Sequence, residues 1–171
     1  MKFLLHRSSA SSRSTSFTLV ELIGVMALLG ILMAIAAPSW NAFFQHRQLA
    51  AAQERTAQAI RNAQHQASLS RTRKAIAFRE TPNGVEWSVY PTSGSPTEWR
   101  SLSIEVAIDA SNTTLHQTGN LYRLQFNEDG HVVGQLGRMT LTIPQTQLRR
   151  CVFASTLLGA VRRAEGNACI R

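Results

Sequence analysis

The chain has 171 residues, of which 44% are hydrophobic and 16% charged, and a formal net charge of +8. That length is one ordinary domain and the apolar share is enough for a core, so neither a second domain nor a coreless chain is called for. The apolar residues are not spread evenly: Phe17 to Ala37 is a run of 21 residues with one charge, Glu21, which leaves a more polar remainder.

Residues 1–16, "MKFLLHRSSASSRSTS", carry Lys2, Arg7 and Arg13 and no acid, the bias of a segment that stays in the cytoplasm. Residues 17–37, "FTLVELIGVMALLGILMAIAA", would span about 31 Å as a helix, against roughly 30 Å of bilayer hydrocarbon, and are read as a membrane-crossing helix with the rest of the chain outside. Two plainer readings share the segment. A cleaved secretory signal would have a shorter apolar region followed by a small-residue site, and "MAIAAP" supplies small residues; an unprocessed signal anchor is the other.

Glu21 needs its own account. An ionised, unpaired carboxylate at the centre of a membrane helix costs roughly 2.5–3.5 kcal/mol. A positive group from another chain would compensate it, and an α-amino group freed by cleavage before Phe17 is the candidate.

A short basic leader followed by Phe17, Thr18, Leu19, Glu21 and Pro38 in this register resembles the N-terminus of type IV prepilins and type II secretion pseudopilins. The resemblance implies that a prepilin peptidase cuts between Ser16 and Phe17, that the new terminus is methylated, and that Glu21 meets the Phe amine of a neighbouring subunit on assembly. It places Pro38 where such helices kink or loosen. A Ser stands before the cut where the family strongly prefers Gly. The implied partners are other pilin or pseudopilin subunits, the peptidase and an inner-membrane assembly platform. The implied location is a single pass of the inner membrane with the C-terminal part periplasmic or extracellular, and a filament after assembly.

Residues 38–73 are read as helix continuing into a globular domain. Leu49, Ala52, Thr56, Ala59, Ile60, Ala63 and Ala67 recur at three- and four-residue spacings, with Arg47, Glu54, Gln58, Arg61 and His65 opposite. An inner face of Ala lets such a helix lie close against a sheet. In 74–171 the period changes. "KAIAFRETPNGVEWSVYP" predicts a hairpin turning at Pro82, Asn83 and Gly84, and further strands are expected in "WRSLSIEVAI", "LYRLQFNEDGHVVG", "RMTLTIP" and "RRCVFAST". The expected fold is therefore α+β, a long N-terminal helix packed on an antiparallel β domain. The order of the last segments is similar to the GspH/FimT branch of minor pilins and pseudopilins.

Cys151 and Cys169, both in the exported part, are expected to form a disulfide, the alternative being two buried thiols. Once 1–16 is removed, residues 17–130 hold nine basic and nine acidic side chains. The excess lies in 131–171, where Arg138, Arg149, Arg150, Arg162, Arg163 and Arg171 face only Glu165. One reading is phosphate binding: some FimT-like pilins bind DNA through a C-terminal Gly-Arg-x-Arg segment, which "GAVRR" matches at Gly159 and Arg162, with Ala160 in place of the first Arg. DNA is then a partner through Arg149, Arg150, Arg162, Arg163 and Arg171. The other reading is a solvated edge facing acidic partner pilins or anionic lipids. Phe153 is the one aromatic residue in that tail, and its alternation suggests core burial. His6, His46, His65, His116 and His131 are dispersed with no ligand spacing, and "NEDG" reads as a turn. No catalytic residue, metal site or cofactor is expected.

Overall fold

The computed structural model of the protein describes residues 18–171, leaving out the side chains of 36–39. The expected leader and its junction at Ser16 and Phe17 lie outside the described residues. The chain divides between Asn41 and Ala42 into two compact units.

Helix α1 (Leu19–Ser70) starts in the first unit and ends in the second. Thr18 caps it, its Oγ1 accepting the backbone N–H of Glu21 at 3.2 Å and its carbonyl that of Leu22 at 3.1 Å. The helix was expected to reach about Arg73 and stops three residues earlier. Arg71 takes a left-handed φ of 48° and the N–H of Thr72 reaches back to the Ala67 carbonyl at 3.3 Å, a Schellman-type stop. Every expected inner-face position, from Leu49 through Ala67, is buried, and Gln53 and Ala57 join them.

Ten strands follow: β1 (Lys74–Thr81), β2 (Gly84–Pro91), β3 (Arg100–Ser103), β4 (Ala107–Ile108), β5 (His116–Thr118), β6 (Leu121–Phe126), β7 (Val132–Val133), β8 (Gly137–Thr142), β9 (Arg149–Ala154) and β10 (Val161–Glu165). They form two antiparallel sheets, one ordered β3-β2-β1-β6-β5 with β7 beside β6, the other β10-β9-β8-β4. The β1–β2 hairpin closes with Thr81 opposite Gly84, as its turn residues predict. The expected single strand in residues 99–108 is instead two strands in different sheets. The chain breaks at exposed Ile104 and Glu105, and buried Val106 starts the passage into the second sheet. Strands β5 and β10 were not foreseen, because neither alternates apolar and polar residues.

The inner face of α1 (Leu49, Ile60, Ala63), the first sheet (Ile76, Phe78, Leu124, Phe126) and the second (Met139, Leu141, Val152) share one core. The opposite face of the first sheet holds a smaller cluster, Ala75, Ala77 and Tyr90 under Trp99. Ala63→Leu should overpack the helix–sheet contact and cost about 1–3 kcal/mol, read as a lowered Tm, while Arg61→Ala on the exposed side should change stability by less than about 0.5 kcal/mol.

Candidate assembly helix and arginine-bearing sheet

In the first unit, the helix from Leu19 to Ile35 is exposed at every position and apolar on all sides except at Glu21. By length and composition it is a helix able to cross a membrane. Among the described residues no cation reaches the Glu21 carboxylate, and its backbone N–H is taken by Thr18. Glu21 stands at the third position of the helix, where a carboxylate favours the positive end of the helix dipole. Thr18 enters the sequence analysis only as part of the N-terminal register; the spacing Thr18 to Glu21 is also a capping signal. The Pro38 side chain lies outside the described residues, and the helix runs through its position.

In the second unit, the cysteines are joined, Cys151 to Cys169, with Cα atoms 5.6 Å apart. Cys151 lies in the middle of β9, between Thr140 of β8 and Ala164 of β10, and Cys169 closes a 3₁₀ turn, Gly166–Cys169, so the bond ties the chain end to the sheet. Closing a loop of this size is worth about 3 kcal/mol by the chain-entropy model.

The six arginines of the C-terminal third do not act alike. Arg149 donates from Nε to Asp109 Oδ2 at 2.8 Å, and Arg150 pairs through Nη2 with Glu165 at 2.6 Å while donating from Nη1 to Gln53 Oε1 at 3.3 Å. Arg163 pairs with Glu54 of α1. Arg138 is 8% exposed and donates to the carbonyls of Asn112 at 2.7 Å and Ile170 at 3.1 Å. Arg162 and Arg171 remain exposed, with no acidic partner among the described residues. Phe153, expected in the core, is only half-buried. It is flanked in register by Arg138 and Arg162, whose guanidinium carbons lie 5.9 and 5.3 Å from its ring centre. Arg171, Arg138 and Phe153 line one shallow groove of about 350 Å³.

Two buried or half-buried amides, absent from the sequence reading, position this region. Gln53 Nε2 donates to the carbonyls of Cys151 at 2.9 Å and Ala164 at 2.7 Å, and Gln64 Nε2 to those of Gly130 at 3.0 Å and Leu158 at 2.9 Å. Gly130 and Gly159 both have φ of +81°, and a Cβ at Gly159 would sit 2.3 Å from Gln64 Nε2. Gly159, read at first as part of a basic motif, leaves room for this amide. The "NEDG" segment is a turn, with Asn127 Oδ1 accepting the N–H of His131 at 2.7 Å, and its acids pair with Arg71 and Arg73.

Burial alone would raise the Asp109 carboxyl. Hydrogen bonds from Asn112 and Arg149 and the Arg149 charge outweigh it and hold the group below its ordinary value of 3.8. A lowered folded-state pKa adds stability that is complete above the unfolded value and lost as pH falls through the folded one. Arg149→Gln should therefore destabilise by about 1 kcal/mol near neutral pH, with the gap to the parent chain narrowing as pH falls below 3.8 in acid-unfolding curves.

Residues 11–37 match the model of the prokaryotic N-terminal methylation motif. No curated protein matches the chain. A crystal structure of the Pseudomonas aeruginosa type IV minor pilin FimU aligns at 15% identity and a TM-score of 0.48, over 74% of this chain and 98% of that one. The matched methylation motif runs into the exposed apolar helix.

Proposed function

We propose that the chain is a minor pilin or pseudopilin subunit, made as an anchored precursor, processed at Ser16–Phe17 and assembled through its N-terminal helix into a filament. The observation that carries this reading is the methylation motif in register with a lone carboxylate on a helix otherwise apolar on every side. Before assembly, the apolar surface is matched by lipid; Trp40, Phe43 and Phe44 follow the run and suit the interfacial layer, with Arg47 over the Phe43 ring at 5.6 Å. After assembly the same surface packs among other subunit helices, and the freed Phe17 amine of a neighbour neutralises Glu21. The globular unit is the part that caps or functionalises the filament, in the periplasm or outside the cell. No step calls for catalysis.

The mature chain should begin at Phe17 by N-terminal mass, and an intact Met1 in the working protein would overturn the reading. Glu21→Ala should insert into the membrane normally but lose incorporation into filaments at least tenfold; undiminished incorporation would remove the amine–carboxylate step.

A second reading, DNA capture during uptake, is favoured by Arg162 beside the Phe153 ring and Arg171 on the groove that Phe153 lines, neither with an acidic partner among the described residues. Of the five arginines first considered, Arg149, Arg150 and Arg163 are engaged by carboxylates, which leaves these two as the phosphate contacts. The globular unit, residues 42–171, should retard duplex DNA at low salt. Replacing Arg162 and Arg171 by Gln should reduce the slope of log affinity against log salt by about 2. No retardation at low salt would retire this reading.

A further inference from the structure

The outer face of the first sheet carries a cation that the fold does not neutralise. Arg123 on β6 lies opposite Ala77 of β1 on one side and His116 of β5 on the other. It is half-buried, and its Nε is fully buried with no acceptor. The ion pairs of the described residues join Arg71, Arg73, Arg79, Arg149, Arg150 and Arg163 to carboxylates; Arg123 has none. A guanidinium N–H withdrawn from water without an acceptor is costly, and such groups are ordinarily hydrogen-bonded.

Beside it is a cavity of about 220 Å³ whose walls include Arg123, His116, Gln125, Gly134 and Gln135. Its two ionisable wall residues are both basic, and no Asp or Glu lines it. The Thr118 hydroxyl lies 3.3 Å from His116 Nε2, and Gln135 Nε2 reaches the Thr114 carbonyl at 3.4 Å, contacts that fix the rim. The wall is thus rich in donors and its charge is positive. With about 30 Å³ per water, the space holds a carboxylate or phosphate group and a few waters. It falls below the roughly 300 Å³ at which pockets for drug-sized molecules begin. On β1, Ala77 lies opposite Arg123 and Ala75 opposite Gln125, both packed in the cluster with Tyr90 and Trp99.

We propose that this cavity is an oxyanion site, in which Arg123 supplies the charge and His116, Gln125 and Gln135 supply further hydrogen-bond donors to one carboxylate or phosphate group. Arginine presents its N–H groups in a planar fork that suits either anion. The site lies in the globular unit and does not depend on the pilin reading.

The test is thermal unfolding of the full chain in detergent at constant ionic strength, with chloride replaced stepwise by inorganic phosphate in one arm and by N-acetylglutamate amide in the other. At tenfold the Kd, a ligand of the folded state should raise Tm by about 5 °C, saturably. Arg123→Gln should abolish the rise, His116→Leu and Gln135→Leu should each weaken the apparent Kd at least threefold, and Arg100→Gln on a different part of the surface should leave it unchanged. A rise in the phosphate arm alone identifies a phosphate-type ligand, and a rise in the glutamate arm identifies a protein carboxylate; either supports the site. No saturable rise in both arms, or an equal rise in Arg123→Gln, overturns it. Should Arg123→Gln not fold, unchanged affinity in both His116→Leu and Gln135→Leu overturns it instead.

Discussion

Close approach between one helix and two sheets is the constraint on which the globular unit rests. Ala52, Ala57, Ala59, Ala63 and Ala67 bury only a methyl group each, so the backbone of α1 comes near the strands it covers. At that separation a glutamine amide on the helix reaches the backbone of the far side. Gln53 therefore bonds to carbonyls on β9 and β10, and Gln64 to carbonyls in the two loops that follow β6 and β9. Those bonds set demands in turn: Gly159 has no side chain because the Gln64 amide occupies the place a Cβ would take. Small residues on the helix, amides between them and glycines opposite form one arrangement in which each feature requires the next.

The first half of α1 answers to a different solvent. A helix with an apolar residue in every direction has no core-facing stripe to define a partner within its own chain, and lipid or like helices satisfy it equally. This indifference allows one surface to serve before and after assembly in the proposed role. Glu21 is the exception that introduces direction. At the third helical position it suits the helix N-terminus, and Thr18 has already satisfied the backbone there, which leaves the carboxylate free to take a cation from elsewhere.

Periodicity carried most of what was legible in the sequence. The buried face of α1, the β1–β2 hairpin, the turn at Asn127–Gly130 and the joining of Cys151 to Cys169 all follow from local spacing, turn chemistry or the count of cysteines. Where the outcome depends on partners distant in sequence, local spacing carries no signal. Nothing local in residues 99–108 marks that β3 pairs with β2 while β4 pairs with β8, and β10 is a strand because β9 lies beside it rather than because "VRRAE" alternates. Gln53 reads as an ordinary polar residue until the carbonyls it meets, 98 and 111 positions away, are known.

Charge showed the same division most clearly. Counted along the chain, acids and bases balance up to residue 130 and the remainder is an arginine excess. In space that partition dissolves, because Glu54 and Asp109 from the balanced part meet Arg163 and Arg149 from the excess. Arg138 is turned inward onto the carbonyls of Asn112 and Ile170, where together with the disulfide it fixes the chain end, and the last residue is held in turn by its N–H to Asn112 Oδ1 at 3.0 Å. Of the arginine excess, Arg162 and Arg171 keep no acidic partner among the described residues, Arg162 beside the Phe153 ring and Arg171 on the groove that Phe153 lines, and on the other sheet Arg123 likewise has none beside its cavity. A cation on a rigid backbone with no carboxylate of its own has already met the conformational cost of ordering, so an anion that fits it gains more than it would on a mobile arginine tail. Recognition on this protein is to be sought where the fold leaves positive charge unanswered, and only part of that charge, Arg162 and Arg171, lies where the sequence concentrates it.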